Sequence, residues 1–291
     1  MSVLVKSSGG SEKVTIDGAP VKEKKDLKTR ILNLEMSPLP YNFYEGGVVV
    51  YNGEIHILGS AHSSYLKNHY KFNGSTWEKV SDLPHNFYDG GAVVYNNEIH
   101  ILGGVASEKK HYAFNGSRWR EVSTLSYSFT YGQAVVFRDE IHLLGGFDHR
   151  RHYVFDGTNW RQLSDTIISG LGSTAVVFND HIHALGGVSY STKHYQFDGT
   201  SWVSASTIPY AFSYGSAVVY DGSIYILGSS DNTNSFYKWN GETWEALSLL
   251  PHSFIKGCAC VQGGAINVLG SAITGYGQKH YELNAKYYKE I

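Results

Sequence analysis

The chain has 291 residues and a formal net charge of −2, with 42% hydrophobic and 17% charged residues. Near-neutral charge gives no overall field toward nucleic acid or an anionic membrane, and no apolar run reaches the roughly 18 residues of a membrane-spanning helix. Abundant Tyr (22), Phe (13) and Gly (32) point to strands joined by tight turns, an all-β chain.

Residues 1–36 stand apart from the rest of the chain. Met1 to Gly10 lacks the apolar core of a signal peptide, so the expectation is a protein made in the cytoplasm. Lys13 to Val21 reads as a small hairpin, and a Lys-rich connector comes after it. This leader suits attachment to a larger assembly. It resembles the short leaders of tail-associated proteins in phages of Gram-positive bacteria, which implies a virion as one setting.

From residue 37 onward the sequence repeats. Leu-Gly recurs at Leu58, Leu102, Leu144, Leu185, Leu227 and Leu269, a period of about 42 residues. Each copy holds four short strands. The first is small then branched (Gly91-Ala92-Val93-Val94-Tyr95), and a turn such as Asn52-Gly53 or Asp221-Gly222 leads into the second (Ile99-His100-Ile101-Leu102). The third follows a variable loop (His111-Tyr112-Ala113-Phe114), and the fourth carries Trp77, Trp119, Trp160, Trp202 or Trp244, with Tyr288 at the equivalent place in the last copy. Six units of four antiparallel strands describe a six-bladed β-propeller over residues 37–291.

The Gly-Gly doublets at Gly103, Gly145 and Gly186, a downstream aromatic and then Trp make this region similar to the kelch family. Gly59-Ser60, Gly228-Ser229 and Gly270-Ser271 depart from the doublet, and His replaces the usual Tyr in strand two. This is a divergent member, so its function is not carried over. A complete propeller without a catalytic constellation, behind a leader suited to attachment, leads us to expect a module that binds a protein or a glycan, as a virion component or a cytoplasmic adaptor. The kelch resemblance implies a rival class, since some such propellers act on sugars: a sialic-acid mutarotase type and copper oxidases. Cys258 and Cys260, in a first strand, show no partner for a Tyr-Cys copper cofactor and read as free thiols.

Closure of the last blade is contested by the two ends of the chain. Tyr287 to Ile291 and Leu32 to Met36 both align with a fourth strand, and the expectation is that the C-terminal segment takes the place because Tyr288 supplies an aromatic wedge where Asn33 does not.

No nucleophile elbow or phosphate loop occurs, so no catalytic residue and no cofactor is assigned. Histidine repeats at blade spacing in strand two (His56, His100, His142, His183) and strand three (His69, His111, His152, His194, His280). Without the short spacing of a zinc site these read as packing residues, not metal ligands. Five linker phenylalanines (Phe43, Phe87, Phe129, Phe212, Phe254) read as architectural. Two positions later the repeat breaks into Glu45, Asp89, Tyr131, Gly172, Tyr214 and Lys256, a mixture no packing rule asks for. Loops after strand two add His62, Tyr65, Arg150, Arg151, Tyr190 and Tyr276. Together these are the candidate binding residues, because Tyr- and Arg-bearing surfaces suit recognition. In the enzyme reading, Glu45 or Asp89 would be the general base.

Overall fold

The computed structural model describes residues 15–16, 19–20, 28–105, 107–147, 150–167 and 170–288. Those from 28 onward form six four-stranded antiparallel sheets. Blade one runs Gly47–Tyr51, Glu54–Leu58, His69–Phe72, Trp77–Lys79, and blades two to five repeat it. The innermost strand of each blade lies beside those of both neighbours, so the ring closes from blade six back to blade one. In the leader, Thr15–Ile16 pairs with Ala19–Pro20.

Closure reverses the expectation. Blade six is Cys258–Gln262, Ala265–Leu269, His280–Tyr288 and then Lys28–Glu35 as its outer strand. The C-terminal segment instead lengthens strand three, with Tyr288 opposite Lys28 and Leu283 opposite Asn33. Residues 28–36 therefore belong with the propeller, and the leader is shorter than the sequence suggests. Residues 289–291 lie outside the described residues.

The Leu-Gly signal has a steric cause. Gly59, Gly103, Gly186, Gly228 and Gly270 hold φ between 61° and 65°, and a Cβ there would lie 1.9–2.1 Å from the carbonyl oxygen of the Phe in the next linker. Only glycine permits that approach. The linker Phe rings are fully buried, as expected. Where Ser replaces the second glycine, its hydroxyl takes over loop closure: Ser60 Oγ donates to the Asn42 carbonyl (2.9 Å) and Ser229 Oγ to that of Ala211 (2.7 Å).

Seams between blades form the core. The seam of blades one and two joins Val49, Tyr51 and Leu58 to Ile99, Ile101 and Phe114. The histidines are packing residues, and they are also paired, which the sequence did not reveal. His56–His69, His100–His111, His142–His152 and His183–His194 each share a hydrogen bond between Nδ1 and Nε2 of 2.8 Å. Register explains this. His56 faces Lys71, which puts it diagonal to His69 on the same face. In blade six Asn267 replaces the first member.

Candidate functional site at the channel mouth

The six inter-blade linkers converge on one end of the channel. There Glu45, Asp89, Tyr131, Gly172, Tyr214 and Lys256 occupy equivalent places, all left-handed, with φ from 52° to 69°. Backbone amides tie them in a circle: Asp89 donates to Glu45, Tyr131 to Asp89, Lys256 to Tyr214 and Glu45 to Lys256 at 2.7 Å, and Tyr214 to Gly172 at 2.8 Å. At the remaining step Gly170 fills the space, where a Cβ would meet Tyr131 O at 2.7 Å. A second set of amide bonds ties the mouth within each blade. The residue after each doublet donates to the linker, as in Val105 to Tyr88 (3.0 Å) and Phe147 to Thr130 (2.8 Å).

This framework encloses a cavity of about 240 Å³ lined by the six mouth residues and the small residues that open strand one, such as Ala92, Ala134 and Ala217. That is just under the roughly 300–1,000 Å³ of sites for drug-sized ligands, so it suits one small group. Lys256 forms an ion pair with Glu45, and its Nζ lies 5.0 Å from the Tyr214 ring centroid. Burial works against the Lys256 ammonium, but Glu45 outweighs it and holds the pKa above the usual value. Burial, then the Glu45 charge, push Asp89 up to about 8, against the opposing pull of Lys256 and a hydrogen bond with Tyr131. Burial, then the Asp89 and Glu45 charges, raise Tyr131. Burial pushes Cys258 up to about 12, which keeps its thiol protonated and inert.

The mouth is two-sided. Charged residues come from blades six, one and two. The rim at blades three and four carries exposed apolar side chains, Phe147 and Val188, each 51% accessible, and the rings of Phe147 and Tyr131 lie 5.8 Å apart. Both apolar residues escaped the sequence reading. Their signal was the position after the doublet, which reads Ala61, Val105, Phe147, Val188, Ser230 and Ala272.

The structure thus brings Glu45, Asp89, Tyr131, Tyr214 and Lys256 together, while the loop candidates do not line the cavity. His62 stacks on Tyr65 (4.8 Å), and Tyr65 packs on the core residue Tyr41. Arg151 lies over the Tyr127 ring, and Tyr276 stacks on His252. Tyr190 closes a turn with Gly187, and Arg150 is exposed. Asp148 and His149 lie outside the described residues. Among the described residues no three His, Cys, Asp or Glu gather as a metal site.

No protein-family model matches the chain, and no curated protein matches it in sequence. Among solved structures, that of YjhT superposes with a TM-score of 0.70 over 87% of this chain and 99% of its own, at 14% identity. At that identity the likeness shows the fold alone: the chain is a six-bladed β-propeller.

Proposed function

We propose that the chain is a recognition propeller whose channel mouth receives one small polar group of a protein or glycan partner. One observation carries this reading. Five residues with long or charged side chains are held left-handed around a cavity, at positions where glycine would be easier. Backbone held in costly conformations, about 1–3 kcal/mol each, collects at functional sites. Blade four, with Gly172, shows that the fold itself does not need the larger residues.

The test is a screen of glycan arrays and peptide libraries, followed by matched variants. Tyr131→Ala and Tyr214→Ala are expected to weaken binding by about 1–2 kcal/mol or more, as interface anchors do. Asn97→Gly, Asp139→Gly and Asn179→Gly, left-handed turn positions suited to glycine, are expected to bind normally. The opposite pattern would overturn the assignment of the mouth. Attachment to a virion through the leader is part of the same proposal, and mass spectrometry of purified particles tests it.

A second reading, a sugar-active propeller, is favoured by Asp89. A carboxyl still protonated at neutral pH can donate to a sugar oxygen. Polarimetry of freshly dissolved reducing sugars would show catalysed mutarotation, lost in Asp89→Asn. No acceleration over buffer would exclude that activity for the sugars tried.

A further inference from the structure

We propose that the group received by the mouth is a cation, the ammonium or guanidinium of a partner's lysine or arginine, seated between Asp89 and Tyr131. The inference rests on the mouth being a binding site, and it names what binds there.

The mouth already holds one cation, and how it does so is visible. Lys256 is flanked around the circle by Tyr214 and Glu45; its ammonium pairs with the Glu45 carboxylate and lies over the Tyr214 ring. One acid and one phenol suffice. Further round, Asp89 and Tyr131 are a second acid and a second phenol. They sit on the same left-handed backbone as direct neighbours, Tyr131 N–H donating to Asp89 O at 2.7 Å, whereas Lys256 stands between Tyr214 and Glu45. The residues lining the cavity include two carboxyls and a single basic side chain, Lys256, which is committed to Glu45. Among the described residues the second acid–phenol pair has no ammonium of its own to hold.

A proton stands in for the missing cation. Burial and the neighbouring Glu45 charge keep it on Asp89 until about pH 8. The other groups facing Asp89 are Lys256, Tyr88, Tyr131 and Cys258. The phenols and the thiol have raised pKa values and stay neutral near pH 7, so none supplies compensating charge. Seating a cation converts the neutral Asp89 carboxyl and a free ammonium into a carboxylate–ammonium pair, with one proton released to water. The rim completes the fit. Phe147 and Val188, exposed beside Tyr131 and Gly172, offer an apolar surface to the aliphatic stem of a lysine or arginine. A neutral sugar could stack on the same rings and accept a hydrogen bond from the protonated carboxyl, but it would gain nothing from the ionisation of Asp89.

The test titrates the full chain by NMR with N-acetyl-lysine amide, N-acetyl-arginine amide and, as the neutral probe, methyl glucoside. Each titration is run near pH 6.5 and near pH 8.5. The cations are expected to shift mouth resonances and to bind about 20-fold more tightly at the higher pH, since only the ionised fraction of Asp89 is competent. In Asp89→Asn the affinity should fall about 20-fold or more at the higher pH, and the pH dependence should vanish. Asn mimics the protonated acid and tolerates left-handed backbone, so this variant should fold; its melting temperature checks that. Cation binding that is absent at both pH values, or unchanged in Asp89→Asn, overturns the inference. If methyl glucoside alone shifts the mouth resonances, the cation inference falls and the mouth remains a binding site. If no probe shifts them, and a partner from the screens binds Tyr131→Ala and Tyr214→Ala normally, both readings fall.

Discussion

Left-handed backbone costs a residue with a Cβ about 1–2 kcal/mol, and the mouth holds five such residues. Asp89 tolerates the conformation through its short polar side chain, but Tyr131, Tyr214, Glu45 and Lys256 do not share that ease. Tyr131→Gly or Tyr214→Gly is therefore expected to hold or raise stability, by up to about 1 kcal/mol, while partner binding weakens. Urea denaturation beside a binding assay measures both. A clear loss of stability in both variants would mean that the phenols support the fold. Blade four already carries Gly172 at this place without harm to the circle on its Tyr214 side. The candidate residues were legible in the sequence because they break a kept repeat, but the reason they stand together was not. A backbone circle made of one residue from each of six linkers has no local signature. The loop residues stand outside that circle. Tyr65 and Tyr276 look like recognition side chains, yet each spends its ring on a neighbour such as His62 or His252.

Pairs of strands are where the histidines act. In blade four the whole relay can be followed. Phe178 O can only accept, so His183 Nε2 donates to it (3.2 Å), and His183 Nδ1 must accept from His194 Nε2 (2.8 Å). His194 Nδ1 then accepts from Ser206 Oγ (2.7 Å), which takes the indole N–H of Trp244 in the next blade (2.9 Å). Every proton has one place, and both rings are neutral. Burial, the largest cause throughout, lowers the pKa to about 4 in His56, His100, His142, His183 and His280, and to about 3 in His69, His111, His152 and His194. With the folded pKa below the unfolded one, the unfolded chain takes up protons first as pH drops below about 6.5. Stability is therefore full above that value and declines down to about pH 3. At pH 5 each ring costs about 2 kcal/mol, so a few together match the 5–15 kcal/mol of a typical domain. The melting temperature is expected to fall steeply between pH 6.5 and 5. Blade five, where Tyr225 and Phe236 replace the pair, shows how to remove two of these protons. His100→Tyr with His111→Phe should make the decline shallower. A flat melting profile down to pH 4 would contradict the neutral relay. The sequence showed both histidine sets but not their pairing, which depends on the cross-strand register.

At the scale of the whole ring, blade six closes without an aromatic wedge for a reason the seams make plain. In five seams a strand-three histidine packs edge-on against the Trp of the following blade, as His69 does on Trp119 and His280 on Trp77. The seam of blades five and six is the exception on both sides. Blade five offers Phe236 in place of that histidine, and blade six carries Asn33 opposite Leu283, where other blades set Trp opposite an aromatic such as Phe72. With no histidine to meet, the outer strand of blade six needs no aromatic, and Tyr288 had no advantage to bring. What the N-terminal strand provides is length: eight residues, Lys28 to Glu35, pair with the final strand. At about 0.5–1.5 kcal/mol net per hydrogen bond, that pairing contributes several kcal/mol, and it joins the first and last strands of the propeller in one sheet. Two truncations separate the leader from the closure. A chain starting at residue 28 should melt within a few degrees of the full-length protein. One starting at residue 36 should lose several kcal/mol and expose an unpaired strand edge, a template for aggregation. Equal melting temperatures for the two, measured by circular dichroism with light scattering recorded alongside, would show that the ring stays shut without its N-terminal strand.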